Sequence, residues 1–477
     1  MRFHCMSVSL VAAVAIAGCR ATTEGPSVQQ VTVTPNRITV GTGDTVALTV
    51  SATDAQGHSV AGVTITLTSS DTTIVRVAPG NLVIGRDSGS ALVTVSAQGV
   101  STQVTVIVYV PYWLYVSAGG DHTCGVRSDD RAYCWGANDY GQLGNGTATA
   151  STRPVAVVQP VHFVTTVVGG TNSCAEAEAA PGAWYCWGNN ANGQLNTGDR
   201  SNRSVPVALG FDLGSTTFPV LAAGDAHACQ TANGVIRCWG VNGSGQLGGG
   251  DTTGHTGAVQ VTGIAVTPPY PNNSVVMSAG STYTCAEVDG SLWCWGSNAH
   301  GQLGVGDTTF RASAVAPTTV PGAPELVTAG GSHTCAITSP TGYPYCWGEN
   351  GSGQLGDGST VDRWTPVQVQ ASYPYFYALT AGGAHTCGLT PGPAAPYAAY
   401  CWGNNAHGQL GTGTTVNDSV PVAVIGGLGF SEVSAGATHT CGVTGSGVAY
   451  CWGGNQFGQL GDGTTTDRLQ PTRVLAP

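Results

Sequence analysis

One unit recurs seven times along this sequence, and the repetition constrains the fold more than any other feature. The second half of each unit reads Cys-Trp-Gly-x-Asn-x-x-Gly-Gln-Leu, and successive Trp residues are 50 to 56 positions apart. The seven Trp are Trp135, Trp187, Trp239, Trp295, Trp347, Trp402 and Trp452. Periods of this length are typical of stacked or ring-shaped repeat proteins. Because each unit is rich in strand and turn residues, seven of them predict an all-β protein with a seven-bladed β-propeller over residues 111–477.

Each unit also carries a second Cys, usually within Ala-Gly-x-x-His-Thr-Cys. The predicted pairs are Cys124 with Cys134, Cys174 with Cys186, Cys229 with Cys238, Cys285 with Cys294, Cys335 with Cys346, Cys387 with Cys401, and Cys441 with Cys451. Their separation varies from 9 to 14 residues, which does not suit the fixed spacing of zinc ligands. A β-hairpin explains the variation, because only its turn changes length. Buried free thiols are the alternative.

The shortest hairpins fix the register of the pair. Asn233-Gly234 and Asp289-Gly290 are type I′ turn signals, and each lies midway between two Cys. Counting outward from the turn places Cys229 opposite Cys238 at a pair without ladder hydrogen bonds, where Cα atoms approach to about 4.5 Å. The sequence therefore predicts one cross-strand disulfide in each of seven blades.

The N-terminus has the pattern of an export signal. Arg2 precedes a mostly apolar segment, Val8–Ala17, which is too short to span a bilayer. The segment ends Ile16-Ala17-Gly18-Cys19, which resembles the bacterial lipobox and implies lipidation of Cys19. We therefore expect a lipoprotein signal peptide at 1–18, a linker at 19–27 and a lipid anchor at the outer membrane or cell surface. An ordinary signal peptide with an incidental Cys is the alternative.

Residues 28–110 form a different kind of segment. They lack Cys, Trp and Phe, and apolar residues alternate with Thr or Ser over 31–34, 46–50, 63–67, 91–95 and 104–108. Such alternation predicts short strands with one buried face, arranged as a β-sandwich. The opening Val-Thr-Val-Thr-Pro, Gly-Asp-Thr-Val-Ala-Leu-Thr-Val and the closing Gly-Ser-Ala-Leu-Val-Thr-Val resemble the group 2 bacterial Ig-like domain, whose members are usually spacers or adhesive modules.

Residues 111–477 resemble the regulator of chromosome condensation repeat family. The resemblance rests on Ala-Gly-Gly-Asp-His-Thr at 118–123, on Tyr-Cys-Trp-Gly-Ala-Asn-Asp-Tyr-Gly-Gln-Leu-Gly at 133–144, and on their six echoes. The second unit departs most, with Asn172 at the His position, and the fourth has Tyr283 there. The family implies a seven-bladed propeller. Its intracellular role, nucleotide exchange on a small GTPase, is not expected in an exported protein without a basic surface.

A Pro-x-x-Val segment that follows several of the units suggests how the ring closes. It is expected to begin the next blade, as in 154–157. At the C-terminus the next blade is the first one, so we predict that residues 471–475 complete the blade of Trp135 and remove two exposed strand edges.

Composition excludes several functions. The net charge is −11 and all 15 basic residues are Arg, scattered along the chain, so no nucleic-acid partner is expected. We predict no catalytic, cofactor or metal site. The repeat histidines are expected to hydrogen-bond backbone groups, because residues that recur in every blade usually serve the fold; these are His122, His227, His333, His385 and His439. The loops 356–358 and 461–463 lack the acidic spacing of calcium loops and are predicted to be turns.

Segments that break the repetition are the better candidates for function. The aromatic residues in them are Tyr270, Tyr373, Tyr375, Phe376, Tyr377 and Tyr397. On a rigid scaffold such loops suit protein binding, although these rings could instead pack on the blades. The leading hypothesis is a monomeric, surface-anchored, non-enzymatic lipoprotein that binds another protein. The alternatives are an exported inhibitor of a secreted enzyme, and a carbohydrate-binding or hydrolytic propeller with carboxylates at its mouth.

Overall fold

The computed structural model describes residues 27–158, 160–209, 220–232, 235–264, 275–318, 320–372, 375–391 and 397–477. Within these ranges every regular element is a β-strand, and none is a helix that could cross a membrane. The chain divides into two compact units between Pro111 and Tyr112. We call them the N-terminal unit and the repeat region. The predicted signal peptide and Cys19 lie outside the described residues.

The described part of the N-terminal unit, residues 27–111, forms nine strands in three small sheets. Their bounds are β1 (Gln30–Thr34), β2 (Arg37–Gly41), β3 (Thr45–Ala47), β4 (Thr49–Thr53), β5 (Thr66–Ser69), β6 (Val75–Ala78), β7 (Leu82–Gly85), β8 (Gly89–Ala97) and β9 (Val100–Tyr109). The sheet orders are β2-β9-β8-β5, β3-β7-β6 and β1-β4. Alternate residues of β8 and β9 are fully buried, as at Val93, Val95, Val104 and Val106, because successive side chains of a strand point to opposite faces.

Two of the predicted strands in this unit differ from the observed ones. The stretch 46–50 divides at Leu48, because β3 pairs with β7 whereas β4 pairs with β1, so the chain changes sheets there. The stretch 63–67 enters the ladder only at Thr66, although Val63 and Ile65 still pack on the core.

The described residues of the repeat region form 28 strands in seven successive groups of four, which we call units 1 to 7. Unit 1 contains β10 (Trp113–Ala118), β11 (His122–Arg127), β12 (Ala132–Gly136) and β13 (Ser151–Ala156). Unit 2 contains β14 (Phe163–Val168), β15 (Asn172–Ala177), β16 (Trp184–Gly188) and β17 (Arg203–Ala208). Unit 3 contains β18 (Leu221–Ala223), β19 (His227–Ala232), β20 (Val235–Gly240) and β21 (His255–Gln260). Units 4 and 5 are β22 (Val275–Ala279), β23 (Tyr283–Val288), β24 (Ser291–Gly296), β25 (Arg311–Val315); β26 (Ala323–Ala329), β27 (His333–Ser339), β28 (Tyr343–Gly348), β29 (Arg363–Gln368). Units 6 and 7 are β30 (Ala378–Ala381), β31 (His385–Thr390), β32 (Tyr397–Gly403), β33 (Asp418–Ala423); β34 (Gly429–Ala435), β35 (His439–Thr444), β36 (Ala449–Gly453), β37 (Arg468–Arg473).

Within each unit the four strands pair antiparallel in chain order, and units 6 and 7 are also joined by a short pairing of β32 with β34. Connections between antiparallel strands alternate between the two ends of a sheet. The first and third connections of every unit therefore lie on one face, which we call the glycine-loop face. The second connection and the link to the next unit lie on the other, which we call the hairpin face.

The predicted cysteine pairs face each other across the second and third strands of every unit. All seven are disulfides in the structure, with Cα atoms 4.0 to 4.1 Å apart. They join Cys124 to Cys134, Cys174 to Cys186, Cys229 to Cys238, Cys285 to Cys294, Cys335 to Cys346, Cys387 to Cys401, and Cys441 to Cys451. The Cα atoms are thus somewhat closer than the spacing of about 4.5 Å expected for such a pair.

The turns that set this register also match the prediction where the structure describes them. Asp289 and Gly290 both have positive φ, as a type I′ turn requires. Asn233-Gly234 lies outside the described residues, but Ala232 pairs with Val235 across that turn, as predicted.

The prediction for the C-terminal strand is wrong. β37 pairs with β36 of its own unit, with Thr472 opposite Cys451, instead of completing unit 1. The Pro-x-x-Val segment is the fourth strand of the unit that precedes it, as in unit 1, where Val155 lies opposite Cys134. The C-terminus contributes to the meeting of units 7 and 1 through side chains, because Val474 belongs to the same apolar cluster as Trp135.

Candidate functional site

A small cavity opens on the glycine-loop face. It is lined by the first loop of all seven units, which begins Ala-Gly in six units and Val-Gly in unit 2, and Asp225 is the one ionisable residue among the described residues that line it. Paired carboxylates of the kind that glycoside hydrolysis requires are therefore not part of this lining. The carboxylate cluster that would favour a hydrolase is not formed by these residues.

The first glycine of each of these loops lies so close to the next unit that no larger residue fits there. A Cβ atom added at Gly119 would collide with the carbonyl oxygen of Gly169 in the next unit. The same collision recurs at Gly169, Gly224, Gly280, Gly330, Gly382 and Gly436, whose neighbour is Gly119. Unit 7 thus meets unit 1 in the way that the other units meet, and the Ala437 N–H also donates to the Gly119 carbonyl at 2.9 Å.

The five repeat histidines are fully buried and connect neighbouring units. His333 Nε2 lies 2.9 Å from Thr386 Oγ1, and Thr386 donates its proton to the Gln354 carbonyl at 2.8 Å. The imidazole must therefore donate through Nε2–H. The equivalent pairs are His122–Ser173, His227–Thr284, His385–Thr440 and His439–Thr123, at 2.8 to 2.9 Å. We expected backbone partners; the structure instead gives each histidine a hydroxyl of the next unit.

Burial keeps these imidazoles neutral. It lowers the pKa of His122, His333 and His439 to about 3, and that of His227 and His385 to about 4. A neutral imidazole with a fixed tautomer suits a structural hydrogen bond. Tyr283 takes the histidine position in unit 4, where its hydroxyl lies 3.0 Å from Thr334 Oγ1.

The Asn and Gln of each repeat organise the long loop of the glycine-loop face. Asn350 Oδ1 accepts from the Leu355 N–H at 3.0 Å, and its Nδ2 donates to the Val361 carbonyl at 3.1 Å. Gln354 Oε1 accepts from the Ser352 N–H. In the loops 356–358 and 461–463, Asp357 pairs with Arg363 and Asp462 with Arg468. Each carboxylate also accepts a hydrogen bond from a main-chain N–H two residues further on, as in a turn, whereas the ion pairs were not predicted.

One group of potential metal ligands was not predicted. Asp130, His162 and Glu178 bring two carboxylates and an imidazole within 4.8 Å of one another. They come from the hairpin of unit 1, the link to unit 2 and the hairpin of unit 2, so no local spacing could reveal them. His162 and Glu178 are exposed, which makes this a surface cluster of the hairpin face.

The structure exposes some of the predicted surface aromatics and buries another. Tyr375 and Tyr377 are 47% and 62% exposed, and the ring of Tyr377 stacks on Tyr397 with centroids 4.6 Å apart. Phe376, which points the opposite way, is 3% exposed and packs against Trp402. Phe376 is therefore a core residue, and the prediction that it belongs to a partner-binding surface is wrong. Tyr270 and Tyr373 lie outside the described residues.

The exposed tyrosines are held by the strands around them. The Phe376 N–H donates to the Gly342 carbonyl at 3.0 Å, and the Tyr377 N–H donates to the Leu389 carbonyl at 2.8 Å. Tyr397 begins β32. The three rings thus lie on the hairpin face, on the link between units 5 and 6 and on the hairpin of unit 6.

Comparison with protein families gives repeated matches in this region. Residues 129–175, 181–229, 289–337, 342–389, 398–443 and 446–477 match the regulator of chromosome condensation (RCC1) repeat, and a second model of that repeat matches 115–142, 326–354 and 430–459. The first match starts just before the third strand of unit 1 and ends in the second strand of unit 2, so the sequence repeat is offset from the sheet by half a unit.

Two curated relatives illustrate the range of proteins with this repeat. The chain is 31% identical over 342 residues to the Ultraviolet-B receptor UVR8 of Arabidopsis thaliana, covering 69% of this chain and 74% of the receptor. It is 28% identical over 330 residues to the E3 ubiquitin-protein ligase HERC2 of Homo sapiens, covering 68% of this chain but only 7% of the ligase.

Solved structures show the same fold. Human WBSCR16 superposes with a TM-score of 0.62 at 20% identity, covering 73% of this chain and 94% of that one. Prp20p of Saccharomyces cerevisiae, whose structure was described with its binding to Gsp1p and histones, superposes with a TM-score of 0.61 at 20% identity, covering 77% and 88%. The repeat region therefore has the fold of RCC1-like β-propellers.

Proposed function

The chain belongs to the regulator of chromosome condensation (RCC1) repeat family, and from this premise we propose that it is an exported, lipid-anchored scaffold that binds another protein through its hairpin face. Names of relatives include a light receptor and a ubiquitin ligase, and the yeast relative binds Gsp1p and histones. Of these proteins, the yeast one has named protein partners, and we propose the same kind of activity for this chain.

The observation that carries the proposal is the exposed tyrosine group of the hairpin face. Tyr375 and Tyr377 project from the surface, Tyr397 supports Tyr377 by stacking, and main-chain hydrogen bonds fix the segment. Aromatic rings held in one conformation lose little conformational entropy on binding and are enriched among residues that dominate interface energies. Among the described residues unit 1 also carries an exposed tyrosine at the equivalent position, Tyr112, but the stacked pair of Tyr377 and Tyr397 occurs only at unit 6.

We propose that the seven units form one closed seven-bladed propeller. The glycine collisions and the histidine–hydroxyl bonds that join successive units also join unit 7 to unit 1, where His439 Nε2 lies 2.8 Å from Thr123 Oγ1. A closed ring would protect the outermost strands of the chain and hold the hairpin face rigid, which favours binding by a preformed surface.

The proposal of export and anchoring rests on the N-terminal sequence and on the disulfides. Arg2, the apolar segment to Ala17 and Cys19 match a lipoprotein signal, and disulfides persist in oxidising compartments. In this arrangement residues 28–110, proposed to be an Ig-like spacer, would separate the propeller from the membrane.

A capture experiment tests the function. The mature full-length protein, immobilised by a C-terminal tag, is incubated with a detergent extract of the native cell envelope, and retained proteins are identified by mass spectrometry. We expect one dominant protein. The variant Tyr375→Ala/Tyr377→Ala should lose it, whereas Tyr140→Ala, a matched exposed tyrosine on the glycine-loop face, should keep it.

Two outcomes would contradict the proposal. Capture that survives the double substitution would place the partner elsewhere. Recovery of envelope glycans with no protein would replace the protein-binding function with carbohydrate binding. Phe376 is left unchanged in the variant, because its removal would disturb the core around Trp402 and confound loss of binding with loss of structure.

A further inference from the structure

We propose that the junction between units 2 and 3 contains a binding site for one buried water molecule, formed by the Asn172 side chain and the Gln194 main-chain carbonyl. The argument starts from the way in which the other six junctions are built. At each of them a His or Tyr of one unit contacts a Ser or Thr hydroxyl of the next.

The hydroxyl also has a second partner at those junctions. Thr440 Oγ1 donates to the Gln409 carbonyl at 2.8 Å, and the same carbonyl accepts from the Trp452 indole N–H at 2.9 Å. Ser173 and Trp187 share the Gln142 carbonyl in the same way. One oxygen atom thus connects the side chain of the preceding unit to a loop carbonyl.

Both members of the pair are replaced at the junction of units 2 and 3. Asn172 stands at the histidine position, and Ala228 stands at the hydroxyl position of unit 3. Ala228 offers no oxygen, and the Gln194 carbonyl accepts from the Trp239 indole N–H at 2.8 Å. Replacement of one partner alone would leave a histidine or a hydroxyl unpaired, so the joint change is consistent with a different connecting group.

Asn172 supplies the evidence that this group is polar. Its side chain is 0% exposed, and both Oδ1 and Nδ2 lack a hydrogen-bond partner among the described residues. Burial of an amide without partners is destabilising, because each unsatisfied group loses its hydrogen bonds to water. In the five buried histidines Nε2 is bonded and only Nδ1 lacks a partner, whereas Asn172 satisfies neither atom.

A water molecule satisfies the donors and acceptors present. It can accept from Asn172 Nδ2–H and donate to Asn172 Oδ1 or to the Gln194 carbonyl, giving the two to four bonds that buried waters typically make. An amide is shorter than an imidazole and alanine lacks the hydroxyl, so together they release about the space of one water. The site has no charged ligand, which favours water over a cation.

The test repairs this junction and builds the same site at another one. Asn172→His, Ala228→Thr and the double variant are compared with wild type in the full-length protein by thermal melting, followed by tryptophan fluorescence. Each single variant should melt below wild type, because it displaces the water without completing the pair. The melting temperature of the double variant should equal or exceed that of wild type. It should also lie at least about 2 °C above the value obtained by adding the two single-variant shifts to the wild-type melting temperature.

The reciprocal pair is His333→Asn and Thr386→Ala at the junction of units 5 and 6. We expect the melting temperature of the double variant to lie at least about 2 °C above the value obtained by adding the two single-variant shifts to the wild-type melting temperature, since the double variant creates a second water site. A crystal structure at high resolution should show the water at Asn172 in wild type and its loss in the repaired variant. Additive effects in both pairs, or a wild-type structure in which protein groups alone bond the Asn172 amide, would overturn the proposal.

Discussion

The two faces of the repeat region differ in how closely the seven units resemble one another. On the glycine-loop face, each unit presents the same glycine, the same Asn-x-x-Gly-Gln-Leu loop and, in five units, the same buried histidine. On the hairpin face, the turns and links vary in length and composition, and only one of those that the structure describes carries the exposed tyrosine group. Features that recur in every unit hold the units together, whereas features that occur once are free to recognise a partner.

The largest expected effect is on the glycine-loop face. Gly382→Ala would drive a methyl group into the Gly436 carbonyl and the His385 ring. We expect the free energy of unfolding to fall by about 3 kcal/mol or more, or soluble expression to fail. Guanidinium unfolding followed by tryptophan fluorescence measures this in the repeat region, because all 11 Trp lie beyond residue 112.

The matched control is Gly351→Ala on the same face. Gly351 has no atom within 4 Å of the added Cβ. Its effect should stay within about 0.5 kcal/mol, as for most surface substitutions. Equal losses in the two variants would show that glycine in general, and not contact with the next unit, is what this face requires.

The next largest effect, for each residue taken singly, concerns pH. The five buried histidines have lowered pKa values in the folded protein, between about 3 and 4, and ordinary values near 6.5 when unfolded. The unfolded chain therefore binds more protons below pH 6.5, and stability should fall as the pH falls from 6.5 towards 4. Each histidine contributes at most about 1.4 kcal/mol per pH unit, and Glu432, whose pKa is raised to about 8 by burial, contributes a slope of the opposite sign.

His385→Tyr sharpens this prediction. Tyr283 shows that tyrosine fits the histidine position and reaches the hydroxyl of the next unit. The variant should fold and should show a smaller slope, reduced by the contribution of one titrating imidazole. Denaturation midpoints measured from pH 7.5 to 4.5 give both slopes. Stability that does not change with pH over this range would mean that the histidines are hydrated or already charged.

The smallest expected effect on stability is on the hairpin face. Tyr375→Ala and Tyr377→Ala remove mainly exposed surface, so together they should change the free energy of unfolding by no more than about 1 kcal/mol. Their expected effect is on recognition, with affinity for the captured partner reduced by about tenfold or more. If these substitutions lowered the free energy of unfolding but left the affinity for the partner unchanged, the hairpin face would serve stability as the glycine-loop face does.

The parts of this fold that the sequence predicts are those set by local geometry. A two-residue turn fixes which residues face each other, so the pairing of Cys285 with Cys294 around Asp289-Gly290 follows from counting. The position of β37 does not, because a periodic sequence looks the same wherever one unit is taken to begin. The Pro-x-x-Val segment could therefore be assigned to either neighbouring sheet until the pairing of Thr472 with Cys451 decided it.

In the candidate sites too, the sequence predicts only what local geometry sets. Alternation in Tyr375-Phe376-Tyr377 would have separated the buried Phe376 from its exposed neighbours, had the segment been treated as extended. The hydroxyl partners of four histidines lie 51 to 57 residues further along the chain, and that of His439 lies 316 residues earlier, so no local pattern reveals them. The only signal was indirect: unit 2 lacks the histidine and unit 3 lacks the hydroxyl.

The central claim is that seven similar junctions, including that of unit 7 with unit 1, hold a rigid ring whose other face is free for binding. Thr123→Val removes the hydroxyl between units 7 and 1, and Thr386→Val removes its equivalent between units 5 and 6. Each leaves a buried imidazole N–H without its acceptor, so both should lower the free energy of unfolding by a similar amount, about 2 kcal/mol. The account predicts equal losses. A loss for Thr386→Val with none for Thr123→Val would show that the ring is open between units 7 and 1.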